Sequence, residues 1–340
     1  MFINIKSLVL LFSVFLSLSS CKPEENLVVY NGQALGTSYQ LQFYASERFD
    51  LVQQFDSTIA VINKSMSTYQ PDSDISRINA GDNSVVVDGM FREVFGLAQQ
   101  VYNATDGYYD PTVGVLANAY GFGPDKPLKK LDSSTIDSLR RYVGLDNLSI
   151  STEGKLQKST PHIYLDFNSI AKGYCIDQIG KMLEQNGVKN YLIELGGELL
   201  AKGNNLDKNQ PWKVGIENIN APVENRTYTE AVSLYNKGMA GSGNYRKYRT
   251  DSITGAKYVH TINPITGSAE QSDILSATVI APTCAEADAW ATAFMAMGFE
   301  RSKAVIARNK ELAAYLIYSD RTEDTVSVFV SERFSPYLIN

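Results

Sequence analysis

The sequence predicts an α+β fold in which mixed or antiparallel sheets pack against helices. Three observations carry this expectation. Segments of period two and of helical period interleave along the chain without the strict β-α alternation of a doubly wound fold. With 44% hydrophobic and 20% charged residues, a chain of 340 positions can bury a sizeable core. There is no internal repeat and no low-complexity tract. A net charge of −6 without a Lys/Arg cluster gives no reason to expect nucleic-acid binding.

The first residues stand apart from that fold. Lys6 precedes an apolar run from Leu8 to Leu18, too short to span a bilayer comfortably, and Ser19-Ser20-Cys21 follows. Leu18-Ser19-Ser20-Cys21 is similar to a bacterial lipobox, with a plain signal peptide or short anchor as the alternative. Residues 1–20 are therefore expected to be a lipoprotein signal peptide. Cys21 is expected to be lipidated, 21–27 to be its tether, and 28–340 to be one domain. Only Cys175 and Cys284 then remain, far apart and in expected helices. They are no disulfide framework, and read as small buried residues or as one bridge in an oxidising compartment.

Val28–Tyr30 and Ser38–Ala45 read as strands around a Leu35-Gly36-Thr37 turn. A helix carries Leu51, Val52, Phe55, Ile59, Ile62 and Met66 on one face. Residues 67–79 look like a ligand-facing loop holding Tyr69 and Arg77. A second helix runs from Phe91 to Tyr102, and 105–114 is a turn rich in glycine, acids and tyrosine. A third helix spans about Ser134–Val143. His162–Leu165 reads as a short strand, followed by an Asn168-Ser169 turn and a helix ending near Gly187, a C-terminal cap. Tyr191–Leu195 is a buried-type strand ending at Gly196-Gly197, and two or three strands lie within Trp212–Tyr235. Residues 236–275 read as glycine-rich loop. Ala277–Ile280 is a strand leading into a helix, and a last helix from about Glu300 precedes strands Ala313–Tyr318 and Thr325–Val330.

Two stretches can carry chemistry. In the first, Asp166 leaves a strand and enters a tight turn just before a helix, whose unsatisfied N–H groups suit an anion. The same residues also serve an ordinary strand-turn-helix with Asp166 or Asn168 as the cap. In the second, Thr283 with Glu286 forms a capping box, so a helix starts there. Asp288 and Thr292 are then four apart on one face. Their hard oxygens suit Mg²⁺, although a helix start also favours Asp for its dipole. Of the two histidines, His162 offers no motif. His260 sits beside Asn263-Pro264 and Thr266-Gly267, in a turn that could hold an imidazole as a base or simply expose it. GxSxG, HExxH, Walker and GxGxxG patterns are absent, against a hydrolase triad, a zinc protease and a Rossmann site.

Eight runs taken together resemble the ApbE family of FAD:protein FMN transferases. They are LGTSY at 35–39, STYQPDSDISRIN at 67–79, TDGYYDPTVGVL at 105–116 and GFG at 121–123. DFNSIAKGYCID at 166–177, GGE at 196–198, HTINPITG at 260–267 and APTCAEADAWATA at 281–293 follow in the family's order. The resemblance implies an ApbE-like, T-fold-like architecture. It implies an enzyme that binds FAD with Mg²⁺ on the pyrophosphate and transfers FMN to a Thr or Ser hydroxyl of a target protein, releasing AMP. By the family's pattern Asp288, Thr292 and Ser169, the last through its carbonyl, hold the metal. Leu35, Tyr69, Tyr108, Tyr109, Asp110, Asp166, Lys172 and Ile262 fall where the family contacts FAD, and His260 where it has its proposed base.

Two departures stand out. Ala291 occupies a position that is acidic in some members, which argues against a second metal ion. Lys172 likewise replaces an acid found in some members, and pairs better with phosphate. The resemblance places the enzyme in the bacterial cell envelope, lipid-anchored and facing the periplasm. Its acceptor would be an exported or membrane redox protein. An FAD pyrophosphatase and a non-catalytic FAD-binding lipoprotein are the alternatives.

Overall fold

The computed structural model describes residues 25–46, 49–222, 225, 227–244, 248–250, 255, 257–320 and 323–339. The expected signal peptide and Cys21 lie outside these. The chain opens with a hairpin, β1 (Asn26–Ala34) and β2 (Thr37–Ala45), whose two-residue turn sets Leu35 at φ 50 and Gly36 at φ 75. Positive φ at both turn residues matches the twist of the flanking strands. Helices α1 (Leu51–Met66), α2 (Asp74–Asn79), α3 (Gly89–Ala104), α4 (Gly114–Tyr120) and α5 (Ser133–Arg140) follow. A small hairpin, β3 (Leu148–Ile150) with β4 (Leu156–Lys158), precedes α6 (Ala171–Gln185). Next come β5 (Tyr191–Leu195), β6 (Glu198–Lys202), β7 (Asn204–Asn205), β8 (Gln210–Glu217), β9 (Tyr228–Leu234) and β10 (Lys237–Gly243). The chain continues through β11 (Tyr248–Thr250), β12 (Lys257–Val259), β13 (Ile274–Ala281), α7 (Cys284–Met297), α8 (Phe299–Arg308), β14 (Ala313–Asp320) and β15 (Thr325–Val330).

Eight strands form one sheet in the order β1-β2-β5-β6-β10-β13-β14-β15, and each neighbouring pair is antiparallel. This is the expected α+β class. Because successive side chains alternate, the middle strands feed two cores. Ile193, Ala240, Val279 and Leu316 point into the main core with α1, α3, α6 and α7. Their neighbours Leu192, Met239, Ile280 and Ile317 join Trp212, Val232 and Leu234 of β8 and β9 on the other face. A third, smaller cluster joins Leu116 and Tyr120 of α4 to Ile262 and Ala269.

Four expectations are corrected. His162–Leu165 is not a strand: His162 lies in a turn, and Tyr164 makes only an isolated bridge, to Val113. The Asn79 side chain takes the place of a strand partner there, donating to the Leu165 carbonyl at 2.8 Å and accepting its N–H at 2.9 Å. Residues 67–79 end in α2, capped by Ser73. Within 236–275, β10 is a central strand instead of loop. One of its glycines answers a packing need: a methyl at Gly238 would overlap the Thr283–Cys284 backbone at the start of α7. Neither Asp166 nor Asn168 caps α6, whose N-cap is Ile170, with no side-chain bond. The C-terminal reading holds, with Gly187 at φ 80 just past the helix.

The crossing of α6 and α7 is equally tight. A methyl at Gly173 would overlap the Cys284 carbonyl and the Ala285 Cα. Gly173→Ala is therefore expected to destabilise the protein by about 1–3 kcal/mol. Gly96→Ala, in α3 where nothing lies within 4 Å, should be neutral or stabilising. Melting curves of the two variants side by side check this. Cys175 and Cys284 are buried and free, so the bridge does not form.

Candidate functional site

Helix α7 is apolar nearly all round, which fits a helix sunk between sheet and helices. Asp288 is the one acidic residue among its buried positions, at 4% exposure. A carboxylate there needs a partner. It finds one in the Gly173 N–H, which donates to Asp288 Oδ2 at 3.1 Å. Gly173 stands in the first turn of α6, where Ile170 provides no side-chain cap. The exchange is reciprocal. Asp177 of α6 accepts from the Cys284 and Ala285 N–H groups, both at 2.9 Å, at the start of α7. Each helix thus supplies a carboxylate to the other's N-terminus, where the dipole favours negative charge. The expected Thr283–Glu286 capping box is also present.

Burial, and next the nearby Glu198 charge, push the Asp288 carboxyl well above the usual carboxylate range. Lys172 opposes this: its ammonium pairs with Glu198 Oε1, and 32% of its side chain stays open to solvent. Thr292 lies one turn after Asp288 and is half-buried. Next to them, the Ser169 hydroxyl donates to the Tyr109 hydroxyl at 3.1 Å. Burial pushes the Tyr109 phenol above its usual range despite the lowering contact from Ser169, and the Asp288 charge acts in the same direction. Tyr109 therefore stays a neutral hydroxyl with a proton of its own to donate.

Burial pushes Asp177 up to about 6, against the lowering by the Ala285 and Cys284 N–H bonds. With a folded value above the unfolded one, its contribution is full below about pH 4 and is lost as pH rises through about 6. Asp177→Asn cannot ionise. Its melting temperature relative to the wild type should therefore improve across that window, which melts at pH 4, 5, 6 and 7 would show.

The other expected residues form the surroundings. Asp166 is half-buried and accepts the Asn168 N–H at 2.7 Å, and the Asn168 amide reaches Thr68 Oγ1 at 3.3 Å. That joins the 166–169 turn to Tyr69, which is 62% exposed and senses the Asp166 charge. Tyr108 is half-buried, with the Arg301 guanidinium 5.2 Å from its ring centre. Asp110 is a staple. It accepts from the Thr112 N–H and hydroxyl at 2.8 and 2.6 Å and from the Leu145 N–H at 3.2 Å, fixing the loop that presents the tyrosines. Leu35 reaches this end of the sheet through the β1–β2 turn, since the Gly196 N–H donates to the Ser38 carbonyl at 3.0 Å.

His260 and Ile262 arrive on a separate loop. Ile262 is buried in the third cluster, and His260 is half-buried directly after β12. Asn263 holds the loop in shape, accepting from the Ile265 and Thr266 N–H groups at 2.9 and 3.2 Å. Its amide donates to the Ala296 carbonyl of α7 at 3.5 Å, one turn beyond Thr292. Glu198 and Asp177 belong to the arrangement without having been singled out. Gly196-Gly197 before Glu198 was the signal for the first; nothing local marked the second.

Known proteins resemble this chain over most of its length. A family model described as the ApbE family matches residues 35–316. The chain is 34% identical over 316 residues to the FAD:protein FMN transferase of Haemophilus influenzae, covering 89% of both. It is 33% identical to the FAD:protein FMN transferase of Vibrio cholerae, covering 97% of this chain and 98% of the relative. The solved structure of the flavin transferase ApbE from Vibrio cholerae superposes with a TM-score of 0.81 at 31% identity. That match covers 92% of this chain and 100% of the other.

Proposed function

The chain belongs to the ApbE family, and from that premise we propose that it transfers FMN from FAD to a Thr or Ser hydroxyl of a target protein, with Mg²⁺ in the site and AMP as the leaving product. Flavin transfer is the activity carried by relatives that match most of both chains, and this chain is an enzyme of that class. In the balanced step the acceptor oxygen bonds to the FMN phosphorus. The bond from that phosphorus to the bridging oxygen breaks, its electron pair leaves with AMP, and the acceptor proton goes to a base. Such a reaction is governed by positioning and charge neutralisation.

The observation that carries the reading is Asp288, a buried carboxylate facing the first turn of α6 beside Ser169 and Lys172. Once Asp288 is ionised, it, Glu198 and Lys172 together carry one net negative charge in a desolvated place, and it is this charge that burial and Glu198 resist. A divalent cation suits that deficit. Among the described residues no three His, Cys, Asp or Glu side chains form a cage for a metal. That donor set fits an ion that keeps waters and takes oxygens from substrate phosphates. Asp288, the Thr292 hydroxyl and the Ser169 carbonyl would hold it, and when bound it would neutralise the developing phosphate charge.

The chain's own groups do the rest. The start of α6 and the Lys172 ammonium bind the pyrophosphate. Tyr69 and Tyr108 wall the planar rings, and Tyr109 donates its proton to a phosphate oxygen. His260, on the loop that Asn263 holds, takes the acceptor proton. Lipidation at Cys21 would tether the enzyme to the periplasmic side of the envelope, near exported or membrane redox acceptors; Cys21→Ala should then leave the membrane fraction.

The test mixes protein, FAD, Mg²⁺ and a Thr-bearing acceptor, then reads in-gel flavin fluorescence and AMP. Labelled acceptor with equimolar AMP, both abolished by EDTA, is the expected result. FMN and AMP without labelling would mean hydrolysis, and intact FAD a binding protein.

A further inference from the structure

Glu198 opens β6 directly after a turn in which Gly196 and Gly197 have φ of 67 and 108. The turn is pinned from two sides: Gly196 bonds to the Ser38 carbonyl and Gly197 donates to Glu194 Oε1 at 3.0 Å. Glu198 is only 4% exposed. One of its oxygens, Oε1, takes the Lys172 ammonium, while Oε2 is buried with no hydrogen-bond partner. Of the charges acting on Asp288, that of Glu198 is the strongest.

A purely structural ion pair does not account for this arrangement. In such a pair both carboxylate oxygens turn to donors, because an unpaired buried oxygen is costly. Here Glu198 also acts on a second buried carboxylate, Asp288, and ionising both adds repulsion to the cost. Both penalties vanish if a cation sits between them.

Resting on the reading of Asp288 as a cation ligand, we infer that Glu198 is a further carboxylate of the cation site, and that Lys172 is a tethered ammonium standing in for part of the ion's charge when no ion is bound. Glu198 acts on the ion directly or through one of its waters. Binding the ion releases Glu198 from its dependence on Lys172. The ammonium, on the mobile end of a side chain already partly open to solvent, is then available to the pyrophosphate. Ion and flavin would thus load cooperatively, since the first ligand frees a group that the second one uses.

Mn²⁺ without FAD is the probe, its free concentration read by electron paramagnetic resonance, with melting curves in parallel. Glu198→Gln is expected to weaken Mn²⁺ binding about 10–100-fold. Lys172→Met, by removing a competing positive charge, is expected to tighten it at least about fivefold. The same variant should lower the ion-free melting temperature and enlarge the rise caused by Mg²⁺. Should Glu198→Gln not fold, the Lys172→Met/Glu198→Gln double variant removes the pair without leaving a lone charge. It should bind Mn²⁺ more weakly than Lys172→Met. Wild-type Mn²⁺ affinity in Glu198→Gln, or in the double variant an affinity equal to that of Lys172→Met, overturns the role of Glu198. Unchanged or weaker binding by Lys172→Met overturns the stand-in. Asp288→Ala separates the two levels: if it too binds Mn²⁺ like the wild type, the cation site itself is misplaced.

Discussion

Asp288→Ala should lower flavin transfer at least about 1,000-fold while leaving the fold intact. Both halves follow from its surroundings. Removing the carboxylate deletes the one ligand charge that α7 contributes, and Thr292 and a backbone carbonyl offer none. Stability has little to lose, because α7 already carries alanine at many buried positions and alanine favours the helix. The cost is the Gly173 N–H, left without its acceptor, about 1–3 kcal/mol. Against it stands relief from burying a carboxylate beside Glu198. Asp288→Asn keeps an oxygen for Gly173 but not the charge, and should lose transfer as fully. In-gel flavin fluorescence with a melting curve decides the matter. Flavinylation at the wild-type level by either variant removes Asp288 from the metal role.

Much of the architecture was legible because local patterns and tertiary burial agree. The stripe from Leu51 to Met66 and the capping box at Thr283 and Glu286 each specify an element without outside help. The failures have a common cause. Gly238, Gly241 and Gly243 read as loop because glycine weakens a strand, yet β10 lies mid-sheet, and at Gly238 any side chain would strike α7. His162–Leu165 reads as a strand because it is apolar, yet its backbone is satisfied by an asparagine side chain 86 positions away. Neither contact can be read from a window of neighbouring residues.

The site divides along the same line. Asp288 and Thr292 were visible as a pair because a helix places residues four apart on one face. Asp110 was also singled out, but its oxygens are taken up by Thr112 and Leu145, which only the folded loop reveals. Glu198 and Asp177 escaped because their partners are on other elements: Lys172 for one, the start of α7 for the other. A carboxylate's function here depends on what opposes it in space.

His260→Ala should retain FAD binding, with affinity within about threefold of the wild type, and slow transfer by about 100- to 10,000-fold. The expectation rests on separating position from contact. Most groups assigned to FAD lie on the 67–79, 105–112 and 166–172 segments, with Leu35 in the β1–β2 turn; the 260–268 loop that carries His260 adds only Ile262, which is buried in the third cluster. That loop is held without His260: Asn263 accepts from the Ile265 and Thr266 N–H groups, the Tyr120 hydroxyl donates to the Gly267 carbonyl at 3.0 Å, and Arg140 donates to the Ile265 carbonyl at 2.9 Å. Truncating one half-buried ring should leave the loop standing, so a loss of rate would report the missing proton acceptor instead of a collapsed site. Two measurements distinguish these outcomes. Fluorescence quenching of FAD gives the affinity, and AMP release with acceptor labelling gives the rate. If the imidazole is the base, added imidazole should restore part of the transfer in the alanine variant, where the cavity can admit it. Turnover unchanged by the substitution takes His260 out of the base role. Loss of FAD binding together with rate would make it a wall of the flavin site.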